Sequence, residues 1–174
     1  MTTITKLGKE WRISFYFEPF DYGSAAEGDT ASNTTNLLHL TLSNNAEDSL
    51  EEEGDRILAI NFQPNRGMIV AASIGNELNY VRNFSSYLPL LNKRTLVEVN
   101  QLRRGGRYIY RILVDEEEVH SVENENPQEF TNVSVYLSNP WLPSTIGEIR
   151  SFQVATNNGG THTVSLLLFK QIKP

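Results

Sequence analysis

Apolar side chains in this chain recur at every second position. Trp11, Ile13, Phe15 and Phe17 alternate with Arg12, Ser14, Tyr16 and Glu18, the pattern of a strand that buries one face and wets the other. The same period predicts strands over 36–43, 55–63, 68–74, 78–84, 95–102, 107–114, 118–123, 131–137, 147–154 and 163–169. No stretch of ten residues sustains the 3.6-residue period of an amphipathic helix. About eleven short strands are too many for one flat sheet, so the chain reads as all-β, a two-sheet antiparallel β-sandwich. Segment 163–169 is apolar on both parities, which suits a strand covered by a partner or, the preferred reading, one buried on both faces.

Turn chemistry agrees with these boundaries. Pro64-Asn65-Arg66-Gly67, Gly105-Gly106, Asn139-Pro140 and Asn157-Asn158-Gly159-Gly160 each separate two strand-like runs, and Gly, Asn and Pro favour the backbone conformations that tight turns need. Asp115-Glu116-Glu117 stands where another hairpin turn is required, with acids in place of the usual Asp-Gly. Segments 21–36 and 44–54 carry few core residues and read as mobile loops.

Composition narrows the class mainly by exclusion. The 174 residues fit one domain, 1–174, with its core over about 9–170, and a chain of this length buries enough surface to fold without staples. Fifteen Lys and Arg against 21 Asp and Glu leave a net charge of -6, which opposes binding to nucleic acid or to anionic lipid. Zero cysteines exclude disulfides and thiolate chemistry. No apolar run approaches the ~20 residues that span a bilayer, and the opening residues lack a signal peptide's apolar region, so no membrane insertion is expected. A secreted setting would then need a leader already removed or a longer parent chain. Three Asn-x-Ser/Thr sequons begin at Asn33, Asn83 and Asn132, about what chance supplies in so Asn-rich a chain.

Candidate chemistry is concentrated in 55–65. A strand there buries Leu58, Ile60 and Phe62 on one face and presents Asn61, Gln63 and Asn65 on the other. Planar amides and Arg satisfy the vicinal hydroxyls of a sugar, and an aromatic face packs on the apolar side of the ring. Asn61, Gln63, Asn65, Arg66, Tyr80 and Arg82 supply both kinds of group, and should then converge on one concave face. The alternative is an ordinary solvated strand face. Trp141, in the Pro-stiffened Ser138-Asn139-Pro140-Trp141-Leu142-Pro143, is either a stacking platform or a plug for one end of the sandwich. Glu47 to Asp55 form an acidic run that could attract calcium but lacks the spacing of a dedicated loop. His39, His120 and His162 belong to no metal or nucleophile motif.

Trp11 to Phe17, the run from Asp55 through Ile74, and Arg107 to Val119 followed by Phe130 to Tyr136 together resemble the concanavalin A-like lectin and glucanase jelly rolls, with laminin G-like and galectin-like domains nearest in size. Galectins hold galactosides on a His-Phe-Asn-Pro-Arg strand. Here Asn61-Phe62-Gln63-Pro64-Asn65 keeps Phe62 and Pro64, with Asn61, Gln63 and Asn65 at the three polar places. Tyr80 and Arg82 stand near the galectin Trp-x-x-Glu-x-Arg strand, without its Trp. The glucanase Glu-x-Asp-x-x-Glu pattern is absent, and Asp115 to Glu118 are consecutive rather than confined to one strand face.

The resemblance therefore implies a non-enzymatic module that recognises a glycan or glycoprotein, outside the cell or at its surface, in adhesion or recognition. A protein-interaction or structural laminin G-like module without a sugar site is the alternative, and a glucanase-like hydrolase the third. Laminin G-like domains often bind calcium at a rim, for which Asp21, Asp29, Asp48 and Asp55 are the candidates. Oligomeric state is not written in these residues.

Overall fold

The alternating segments pair into two six-stranded sheets. In the computed structural model, which describes residues 2–21, 34–42, 53–63, 67–85, 92–138, 142, 144–157 and 164–166, the strands are β1 (Thr2–Leu7), β2 (Trp11–Asp21), β3 (Thr35–Thr41), β4 (Leu58–Gln63), β5 (Gly67–Ile74), β6 (Glu77–Phe84), β7 (Thr95–Arg104), β8 (Arg107–Val114), β9 (Glu117–Glu123), β10 (Phe130–Leu137), β11 (Ile146–Thr156) and β12 (Val164–Leu166). Sheet A runs β1-β10-β3-β4-β5-β6, and sheet B runs β12-β11-β2-β7-β8-β9. Every pairing within them is antiparallel.

The core lies between the sheets and is built by the parity read from the sequence. Trp11, Ile13, Phe15 and Phe17 of β2 are buried, as are Leu58, Ile60 and Phe62 of β4. Phe17 stacks on Phe62 across the sheets with ring centroids 5.2 Å apart. Phe15 stacks on Phe152, and Trp11 meets Tyr110 edge-on, each at 6.1 Å. Aromatic pairs at such separations add about 0.5–1.5 kcal/mol each beyond the area they bury.

Strand β1 escapes the period-2 reading because its buried side chains, Ile4 and Leu7, stand three residues apart. The segment predicted over 163–169 is a strand at Val164–Leu166 that pairs with β11 at the edge of sheet B. Its side chains, read as buried on both faces, lie outside the described residues, as do most of the loops expected over 21–36 and 44–54.

Two hairpins of sheet B illustrate the turn chemistry. A two-residue turn of the favoured primed kind needs positive φ at both centres, and Gly105 and Gly106 supply 57° and 86° between β7 and β8. Asp115 and Glu116 adopt 49° and 70° between β8 and β9, without the freedom of glycine. Asp115 compensates through its carboxylate, whose Oδ1 accepts the Leu96 amide at 2.8 Å.

One end of the sandwich is closed by a chain of amides. Asn124, just past β9, accepts the backbone N–H of Gly75 at 2.8 Å and donates to Gln101 Oε1 at 2.6 Å. Gln101 in turn donates to the Lys9 carbonyl at 2.8 Å. The β5–β6 turn of sheet A is thereby tied to sheet B and to the β1–β2 connection.

Candidate functional site

The alternation of β4 that buries Leu58, Ile60 and Phe62 turns Asn61 and Gln63 onto the face of sheet A directed away from sheet B. Register then decides their neighbours. Asn61 stands opposite Ile69 of β5, and Ile69 opposite Asn83 of β6, so two amides flank an aliphatic side chain in one row across three strands. Buried Asn36 of β3 donates from Nδ2 to Asn61 Oδ1 at 2.8 Å and to the Leu38 carbonyl at 3.2 Å. This fixes the Asn61 amide and leaves its Nδ2 to donate elsewhere. Gln63 Nε2 donates to Thr34 Oγ1 at 2.6 Å, while Gln63 Oε1 is buried without a hydrogen-bond partner. Asn83 is exposed.

The other end of this outward face is occupied by the protein itself. His39 Nε2 lies 3.3 Å from the Asp55 carbonyl, and Arg56 Nη1 donates to Asn79 Oδ1 at 2.7 Å. Ala59 and Ala71 there are buried. Among the described residues of this face, free hydrogen-bonding capacity therefore concentrates at Asn61, Gln63 and Asn83.

The expected convergence of Asn61 and Gln63 with Tyr80 and Arg82 is not met. Register places Arg82 opposite Val70, in the row of Ile60, and Tyr80 opposite Ala72. Both side chains therefore leave β6 on the side facing sheet B, opposite the amide row. Tyr80 is only 8% exposed. Its hydroxyl lies 2.9 Å from His120 Nε2 of β9, and the Arg82 guanidinium sits 3.9 Å from the centre of its ring. Partial burial holds the His120 pKa below the usual imidazole range, the positive charge of Arg82 lowers it further, and Glu118 opposes both. The Tyr80 hydroxyl and the neutral ring share a hydrogen bond that closes the seam between the edge strands β6 and β9. Asn83 was missed by the sequence reading, yet burial of Tyr80 and Phe84 on the even parity of β6 implies that odd residues face outward. Asn65, Arg66 and Trp141 lie outside the described residues.

Among the described residues, most carboxylates are engaged in ion pairs, hydrogen bonds or turns. On the outward face of sheet B, Glu98 pairs with Arg12 and accepts Asn100 Nδ2 at 2.6 Å. Asn100 accepts Arg111 Nε at 3.1 Å, and Arg111 reaches Glu118 at 3.3 Å. Asp115 and Glu116 form the turn, as expected. Among the described residues, no group of three or more His, Asp or Glu could hold a metal ion. Asp29, Asp48 and the Asp21 side chain fall outside that description, so the calcium expectation reduces there to Asp55.

No family model matches the sequence, and no curated protein matches it. Solved structures do resemble the chain. It superposes on alginate lyase AlyC3 with a TM-score of 0.55 and 11% identity, over 86% of this chain and 66% of that one. The same lyase in complex with dimannuronate gives a TM-score of 0.51 and 10% identity, over 81% and 59%. The fold is a two-sheet antiparallel β-sandwich, a jelly roll. This chain spans less than two thirds of those lyase chains. A human galectin-16 variant, 14% identical, aligns over 90% of this chain and all of that one at a TM-score of 0.49. At these identities the likeness concerns the fold alone.

Proposed function

We propose that this jelly roll is a non-catalytic glycan-recognition module, and that it reads its ligand on the outward face of sheet A around Asn61, Gln63 and Asn83. The observation that carries this is the row of two amides flanking Ile69, with Asn61 locked by Asn36. Two planar hydrogen-bonding groups on either side of an aliphatic patch match the mixed polar and apolar surface of a pyranose. An extracellular or cell-surface setting belongs to the same reading, since glycans are displayed there. The Tyr80–His120 pair is given a structural part, because the phenol is buried and its hydroxyl is spent on the imidazole.

A glycan array probed with the folded domain, with and without calcium, tests the reading. Binding to a defined glycan is expected, and Asn61→Ala and Asn83→Ala should each weaken it about tenfold, the worth of one well-formed hydrogen bond to a sugar hydroxyl. Asn83→Ala, at an exposed position, should leave thermal stability nearly unchanged, whereas Asn61→Ala also removes the acceptor of buried Asn36 and should lower stability by about 1 kcal/mol. Binding that survives the double substitution moves the site off this face, and a folded domain that binds no glycan ends the proposal.

A further inference from the structure

The end of the sandwich tied together by Asn124 also contains a polar pocket, about 310 Å³ with its open mouth included. Trp11, Ile57 and Phe130 form apolar wall, and Glu53, Ser73, Gln101, Asn124, Asn126 and Gln128 line the rest. Tyr110 of β8 lines it too. This tyrosine is only 1% exposed, and its hydroxyl has no hydrogen-bond partner in the protein. A phenol hydroxyl buried without a partner costs about 1–3 kcal/mol, so a native fold rarely leaves one so.

The rest of the lining shows what could serve it. Gln101 and Asn124 use both ends of their amides within the protein, as acceptors and as donors. Gln128 Nε2 donates to Asn126 Oδ1 at 2.8 Å, which leaves Gln128 Oε1 and Asn126 Nδ2 uncommitted. Ser73 Oγ donates to backbone carbonyls and keeps its lone pairs. The pocket thus holds spare donors and spare acceptors around one hydroxyl, and Glu53 in the lining adds a carboxylate that accepts but does not donate. A group that both donates and accepts, and is small enough for the narrow interior, is required.

We infer that this pocket is a hydration site, in which one ordered water bridges the Tyr110 hydroxyl to the uncommitted amide groups of Asn126 and Gln128. Such a water makes about three hydrogen bonds and becomes part of the fold. It extends the Asn124–Gln101 tie into the connection between β9 and β10, and seats that connection on sheet B. This site is separate from the amide row of sheet A, and does not depend on the glycan reading.

Water-selective nuclear Overhauser spectroscopy on the intact chain, paired with Tyr110→Phe, tests the inference. Long-lived water should give cross-peaks to the Tyr110 ring and to the Asn126 and Gln128 side-chain amides. Tyr110→Phe, which keeps the ring and its packing against Trp11, should abolish those cross-peaks and lower Tm by about 2–4 °C, the loss of about one hydrogen bond in a domain of this size. Absence of the cross-peaks in the unaltered chain overturns the inference, as does a Tyr110→Phe variant whose Tm is unchanged or higher. Glycerol and free galactose serve as rival occupants. If either shifts the Asn124 and Tyr110 resonances saturably at millimolar concentration, the pocket takes a ligand hydroxyl, and the hydration site is wrong.

Discussion

His120 shows how one residue's surroundings reset its chemistry. A solvated imidazole titrates near 6.5, and burial together with the Arg82 charge lowers that value in the folded chain. The unfolded chain therefore binds a proton that the folded chain refuses, and stability rises with pH through that window. The contribution of His120 is complete above about pH 6.5 and is lost progressively as pH falls from there toward the lowered folded value. Protonation also commits Nε2 to donating, so that the Tyr80 hydroxyl can then only accept from it. Urea melts at pH 7.5 and pH 5.0 should show a loss at the lower pH that His120→Gln reduces, because Gln accepts the hydroxyl without titrating. Equal losses in both proteins would assign the effect to the carboxylates instead. None of this was legible in the sequence, where His120 stands as one polar residue in an alternating strand.

Strands and their register decide which readings of the chemistry survive. Period 2 made the strands legible because each buries one face, and the inward sets of β2 and β4 follow that parity. Grouping Tyr80 and Arg82 with Asn61 required a parity for β6 opposite to the one its own apolar residues demand. A one-residue slip in register carries a whole strand's side chains to the other face, and that slip separates the expected constellation from the one observed. Asn83 takes the place assigned to Arg82. Turn chemistry was legible at the same scale, strain included. Glu116 holds φ at 70° without being glycine, a conformation that costs a residue with a Cβ about 1–2 kcal/mol. Glu116→Gly should stabilise the β8–β9 hairpin by about 0.5 kcal/mol once the extra chain entropy of glycine is subtracted. Chemical denaturation would register this as a higher midpoint at unchanged slope. A lower midpoint would mean that the Glu116 side chain makes a contact worth more than its backbone strain.

At the scale of the molecule, two sheets joined by apolar packing could slide against one another, because the hydrophobic effect has no direction. Hydrogen bonds at the ends supply direction. Asn124 receives Gly75 N from sheet A, gives its own Nδ2 to Gln101 of sheet B, and is 5% exposed. Its partners lie 49 and 23 residues away along the chain, which is why no local pattern announced it: Asn124-Glu125-Asn126-Pro127 reads as an ordinary turn. Asn124→Ala removes one amide and orphans three groups, the Gly75 N–H, the Asn126 N–H and Gln101 Oε1. The expected cost is about 2–4 kcal/mol, more than the net value of any one of these bonds, because unpaired polar groups remain out of water. Asn124→Asp separates the two halves of the tie. A carboxylate still accepts from Gly75 but cannot donate to Gln101, and at neutral pH it places a negative charge against the Gln101 carbonyl oxygen. It should therefore be at least as unstable as Ala at pH 7 and recover toward the native value at pH 4, where the protonated acid can donate. An Asp variant as stable at pH 7 as the unaltered chain would show that Gln101 does not need the Asn124 donor, and that packing alone sets the angle between the sheets.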